Sequence, residues 1–135
     1  HVLEPLSAYL WLAACLADPG RAERLAGAFN FGPGLPANKT VSELVEEVFK
    51  HWPGRWTAAG DPDGPHEASL LNLSIDRAWH ELQWRPVWSF EACVRRAVEW
   101  YRAVAADASV AGDLCRRQIL AYVEDARGAG LIWTR

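Results

Sequence analysis

The sequence predicts an α+β domain in which helices outweigh a small sheet. Three observations carry that reading. Apolar residues recur at helical spacing in five stretches; Thr40, Ser74, Ser89 and Asp113 stand where helix N-caps belong; and only three short runs have strand character. At 135 residues, 50% of them apolar and 23% charged, the chain has the composition of one globular domain with one core. Residues 1–127 are expected to form that domain, and Gly128-Ala129-Gly130 to release a tail over 128–135.

The first helix is expected from about Glu4 to Ala17, because Glu4 and Pro5 suit a first turn, where a carboxylate meets the dipole and a missing N–H costs nothing. Leu6, Tyr9, Leu10, Trp11, Leu12 and Leu16 make it apolar almost all round, which predicts burial on most sides. Ala28–Phe31 reads as a short strand, followed by a Gly-Pro loop over 32–36. Thr40-Val41-Ser42-Glu43 is a capping box, and Val41, Leu44, Val45, Val48, Phe49 and Trp52 then fall on one helical face.

Pro53-Gly54 ends that helix. Arg55–Ala58 and Ser69–Leu73 are the other strand candidates, separated by a turn-rich loop over 60–65. Ser74 is placed to cap a helix with Ile75, Ala78, Trp79 and Leu82 on one face. Ser89 is placed to cap another, with Phe90, Cys93, Val94, Ala97, Val98 and Tyr101 aligned. Asp113 would cap the last, with Cys115, Ile119, Tyr122 and Val123 inward.

Several functions find no support. A net charge of −3 and no Lys/Arg run longer than two leave no basic stripe for nucleic acid. Cys15, Cys93 and Cys115 are odd in number and widely spaced, which fits reduced thiols in a cytoplasmic protein. The apolar run Leu6–Leu16 is too short to span a bilayer. No metal site is expected, since His51, His66 and His80 form no two-ligand helical spacing and no Cys-x-x-Cys exists. Gly32-Pro33-Gly34-Leu35-Pro36-Ala37 matches a dinucleotide fingerprint as a string, yet Pro33 and Pro36 each remove a backbone donor that a pyrophosphate would need. Trp79, Trp84, Trp88 and Trp100, four of eight tryptophans, read as core or interface filler. Pro65-His66-Glu67, between a glycine-rich loop and a strand candidate, is the kind of edge where ligand contacts are placed.

Four strings together resemble one family. They are His1-Val2-Leu3-Glu4-Pro5-Leu6-Ser7-Ala8-Tyr9, Phe29-Asn30-Phe31-Gly32-Pro33, Pro65-His66-Glu67-Ala68 and Leu82-Gln83-Trp84-Arg85-Pro86-Val87-Trp88. In order and spacing they are similar to the C-terminal portion of the CDP-glucose 4,6-dehydratases, which are extended short-chain dehydrogenases/reductases. The resemblance implies a helix-rich substrate-binding lobe with short strands, taking a CDP-sugar as ligand, in a pathway of deoxysugar biosynthesis. By the same analogy His66, Glu67 and Asn30 are the expected substrate contacts.

The family's NAD-binding Rossmann half, with its Tyr-x-x-x-Lys pair, is expected to be absent, and the opening at His1 without an initiator Met reads as a cut. Tyr9, Tyr101 and Tyr122 are each followed four residues on by alanine, so no catalytic residue and no cofactor bound by this chain are expected. Self-association is expected if the missing half leaves apolar faces uncovered. The rival reading is a stand-alone binding or assembly module descended from such a lobe. Two positions depart from the family's pattern: Ser74, where an aspartate is usual, and Gln83, where a glycine is usual.

Overall fold

The computed structural model describes residues 1–57 and 72–135. Six α-helices, α1 Leu3–Leu16, α2 Pro19–Leu25, α3 Val41–His51, α4 Asp76–Leu82, α5 Phe90–Ala106 and α6 Ala111–Gly128, are joined by 3-10 turns at Leu35–Ala37 and Ala108–Val110, with a third at Ile132–Thr134. Helix accounts for 69% of the described residues, which hold no strand.

Among the described residues the α+β expectation is therefore corrected to an all-helical arrangement. Ala28–Phe31 is extended but enters no ladder. Arg77 Nη1 donates to the Ala28 carbonyl at 2.9 Å, and the same guanidinium lies 4.2 Å from the centre of the Phe29 ring. Phe29 and Phe31, two residues apart on one face, stack with centroids 6.1 Å apart and cover the core. Residues with high strand propensity are used here for packing, because propensity in a strand reports side-chain contact more than backbone preference. Residues 55–57 and 72–73 are irregular; the rest of those two strand candidates, and the PHEA string, lie outside the described residues.

The inner core is Ala8, Cys15, Leu25, Ala78, Leu82 and Trp84, with Trp11, Leu12, Phe29, Phe31 and Trp133 packed against it. Trp11 Nε1 donates to Leu82 O at 2.8 Å and so pins α1 to the end of α4. Helix α2 was not foreseen, although Asp18 accepts from Gly20 N at its start and Pro19 occupies its first turn, a cap and proline pair that the sequence does display.

Two helical faces and one helix start differ from the sequence reading. In α1, Leu10 is 73% and Tyr9 55% exposed, so the helix is covered on one side, where the apolar pattern gave no preferred direction. In α6 the inward stripe is Leu114, Gln118, Tyr122 and Ala126, whereas Cys115 and Ile119 face out. A polar residue in that stripe hid it. Helix α4 starts at Asp76 with no side-chain cap, since the Ser74 hydroxyl donates to the Asp76 carboxylate at 3.0 Å instead of capping an N–H. By contrast the α3 capping box forms in full, with Thr40 and Glu43 each accepting from the other's backbone N–H. Helix α5 is capped by Ser89, which accepts from Ala92 N.

Candidate functional site

The first turn of α1 carries a glutamate that is only 9% exposed. Its carboxylate accepts three hydrogen bonds. Oε1 takes the Trp88 backbone N–H at 2.8 Å; Oε2 takes the Val87 N–H at 3.0 Å and the Tyr122 hydroxyl at 2.7 Å. One turn further on, Ser7 Oγ accepts from Trp84 Nε1 at 3.0 Å and lies 3.0 Å from the Tyr122 hydroxyl. Two of the resemblance strings are thus bound to each other. Glu4 and Ser7 of the first hold Trp84, Val87 and Trp88 of the fourth, and α6 closes the knot with Tyr122.

The knot extends outward through aromatic edges. Trp88 meets Tyr122 edge-on at 4.9 Å, donates from Nε1 to Asp125 at 2.7 Å, and has the Arg96 guanidinium 4.8 Å from its ring centre. Tyr122 stacks on Trp133 at 5.9 Å. Phe31, from the second string, meets Trp84 edge-on at 5.2 Å. Trp84 and Trp88 are buried as predicted; Trp79, at 45% exposed, is not the filler expected of it.

Around this knot opens a cleft of ≈ 330 Å³, lined by Pro5, Phe31, Pro33, Trp84, Trp88 and Phe90, with Glu4 and Cys93 at its wall. Three of the four strings face it. Such a cavity, mostly apolar with few polar groups, has the character of a small-molecule site. Asn30 is exposed and immediately precedes the lining Phe31. His66 and Glu67 lie outside the described residues.

Chemically the wall is passive. Burial pushes the Tyr122 phenol far above its ordinary value, the Ser7 hydrogen bond opposes that rise, and the neighbouring Glu4 carboxylate adds to it, so the hydroxyl stays protonated and donates. Burial likewise raises the Cys93 thiol, which keeps it out of the thiolate form a nucleophile needs. Each Glu4 oxygen is occupied as an acceptor from fixed donors, an arrangement that organises the fold. Among the described residues no group of three or more His, Cys, Asp or Glu is arranged to hold a metal. No helix there is long and apolar enough to cross a membrane.

The fingerprint-like string forms no helix N-terminus of the dinucleotide-binding kind. In the fingerprint-like string, Leu35–Ala37 forms a single 3-10 turn whose Ala37 N–H is donated to Gly34 O at 2.9 Å, and the N-terminus of α3 is already satisfied by its capping box. A pyrophosphate would find no free row of amides.

No family model matches the chain. Over 105 residues it is 35% identical to the CDP-glucose 4,6-dehydratase of Salmonella typhimurium, a match covering 76% of this chain and 28% of that enzyme. The chain is a relative of CDP-glucose 4,6-dehydratase. The resemblance read from the four strings therefore stands. In length the chain spans little more than a quarter of the dehydratase it matches, 28%. Sequence reasoning finds the strings but misses what joins them: it gives Glu4 a dipole role, Ser7 a place in the first string and Tyr122 an inward position on the last helix, with no link among the three. A glutamate, serine and tyrosine in apolar stripes are the available signal, because buried polar groups require partners.

Proposed function

We propose that this chain is the substrate-binding portion of a nucleotide-sugar 4,6-dehydratase that converts CDP-glucose to CDP-4-keto-6-deoxyglucose in deoxysugar biosynthesis. The cleft beside the Glu4 knot receives the sugar nucleotide, and Asn30, His66 and Glu67 supply its polar contacts. Hydride transfer and NAD binding belong to polypeptide outside this sequence, a Rossmann half that is the chain's partner in the whole enzyme. The observation that supports the reading best is the convergence of three family-like strings on one apolar cleft, together with the similarity to the dehydratase.

The reading is tested by titrating CDP-glucose, UDP-glucose and dTDP-glucose into the isotopically labelled chain. CDP-glucose is expected to shift the signals of Phe31, Trp84 and Trp88 and to bind more tightly than the other two. Asn30→Ala should weaken it by up to about tenfold, the loss of one neutral hydrogen bond. Equal affinity for all three nucleotides, or no shift at the cleft, removes the proposal. With NAD and CDP-glucose together the chain alone should form no 4-keto product; a product signal would remove the placement of the chemistry elsewhere.

A further inference from the structure

Two adjoining clefts of ≈ 390 and ≈ 300 Å³ share His80, Gln83 and Ile132, and have no lining residue in common with the cleft at the Glu4 knot. Together they form a trough with an uneven charge. Arg85 and Arg135 line one part, Arg21 and Arg24 the other, and His80 lines both. Glu81 is the one carboxylate in the lining, and its Oε1 is held by Arg77 Nε at 2.9 Å.

Several cations outside the trough are matched to a nearby acid, as in Lys39 with Glu43 at 3.3 Å, Arg116 with Asp113 at 3.0 Å and Arg127 with Glu124 at 2.6 Å, whereas Arg95, Arg102 and Arg117 pair with no described acid. The four trough arginines make no ion pair with any described residue. On a chain whose net charge is −3, that concentration is not a consequence of composition.

The trough is also arranged rather than merely basic. Two indoles hold guanidiniums in place: Arg21 over Trp11 and Arg85 over Trp79, each 5.7 Å from the ring centre, with Arg85 Nη2 donating to Ala129 O at 3.2 Å. The end of α4 would ordinarily repel an anion through its free carbonyls. Here three carbonyls at this end are occupied. Ala78 O accepts from Trp84 N, Trp79 O from Gln83 N, and Leu82 O from Trp11 Nε1. The left-handed Gln83, at φ 51°, makes this closure possible and sets its own side chain in the trough wall. Trp79, 45% exposed, presents a flat apolar surface beside the arginines.

We propose that this trough binds a nucleoside diphosphate at a second site, its phosphates on the arginines and its base against Trp79. Guanidinium forks match phosphate oxygens bidentately, and an exposed indole is sequence-tolerant toward bases, so the two features select that class over a simple dianion or an uncharged nucleoside.

The test is a titration of the labelled chain with ADP, adenosine and inorganic pyrophosphate, read on the Trp79 indole and the Gln83 and Gly130 amides. ADP and pyrophosphate should move these signals and adenosine should bind at least about tenfold more weakly than ADP, with both anions weakened by added salt. The double variant R24Q/R85Q should weaken ADP and pyrophosphate by about tenfold or more, and Trp79→Ala should weaken ADP while sparing pyrophosphate. These side chains are exposed, so unchanged signals elsewhere in each spectrum verify the fold. Adenosine binding as well as ADP, wild-type affinity in R24Q/R85Q, or ADP shifts confined to Phe31 and Trp88 would each overturn the second site. The last outcome would leave the reading of the cleft at the knot intact.

Discussion

Glu4 and Glu43 both sit in the first turn of a helix, and the sequence gives each a local role; the structure gives them opposite jobs. Every hydrogen bond of the Glu43 carboxylate is made within four residues, to Lys39 and Thr40, at an exposed position. The bonds of Glu4 run to Val87, Trp88 and Tyr122, and the group is buried. One glutamate ends a helix; the other joins the first helix to the last. Local partners are legible in sequence because their spacing is fixed, whereas distant partners depend on a fold that spacing does not encode.

Removing Glu4 is the strongest way to break the contrast. Glu4→Ala leaves two backbone N–H groups and a phenol without their acceptor, and is expected to cost about 3 kcal/mol or more in urea unfolding. A loss no larger than that of a helix cap would mean the knot is incidental. Tyr122→Phe is milder, because Trp84 Nε1 keeps Ser7 and the two backbone donors keep Glu4; about 1.5 kcal/mol is expected from the same measurement.

At the local end, Thr40→Ala should cost about 1 kcal/mol and reduce helical circular dichroism only modestly. The smallest effect is the acid response of Glu43. Hydrogen bonds from the Thr40 backbone N–H and hydroxyl, then Lys39, hold its carboxyl below its ordinary 4.5. Its contribution is therefore present above 4.5 and lost as pH falls through the lower folded value. The wild type should lose slightly more stability than Glu43→Gln across that acid window, and parallel curves would show that the box adds nothing.

Much of the helical content was readable from periodicity and caps, as α3 and α5 show, both starting where Thr40 and Ser89 predict. Among the described residues the expected strands do not form. Phe29 and Phe31 carry strand propensity, but Arg77, more than forty residues away in sequence, takes the Ala28 carbonyl that a ladder would have used. The candidate site was half legible. Its aromatic strings could be picked out, yet the geometry depends on Ser7, Tyr122 and Glu4, whose residue types are common and whose partners are distant. Gln83 shows the converse: the position that departs from the pattern the resemblance implies, a glycine, is the described non-glycine residue that adopts a positive φ, 51°.

The reach of Glu4 also governs the order in which the molecule can assemble. Its three donors are 83, 84 and 118 residues away along the chain, so the knot closes only after nearly the whole polypeptide has been brought together. Loop closure over such distances is slow relative to helix growth. Of the described helices α1 would emerge before the others during synthesis and wait, its inward face uncovered, until α6 arrived to complete it; the earliest of these six is the last to be secured.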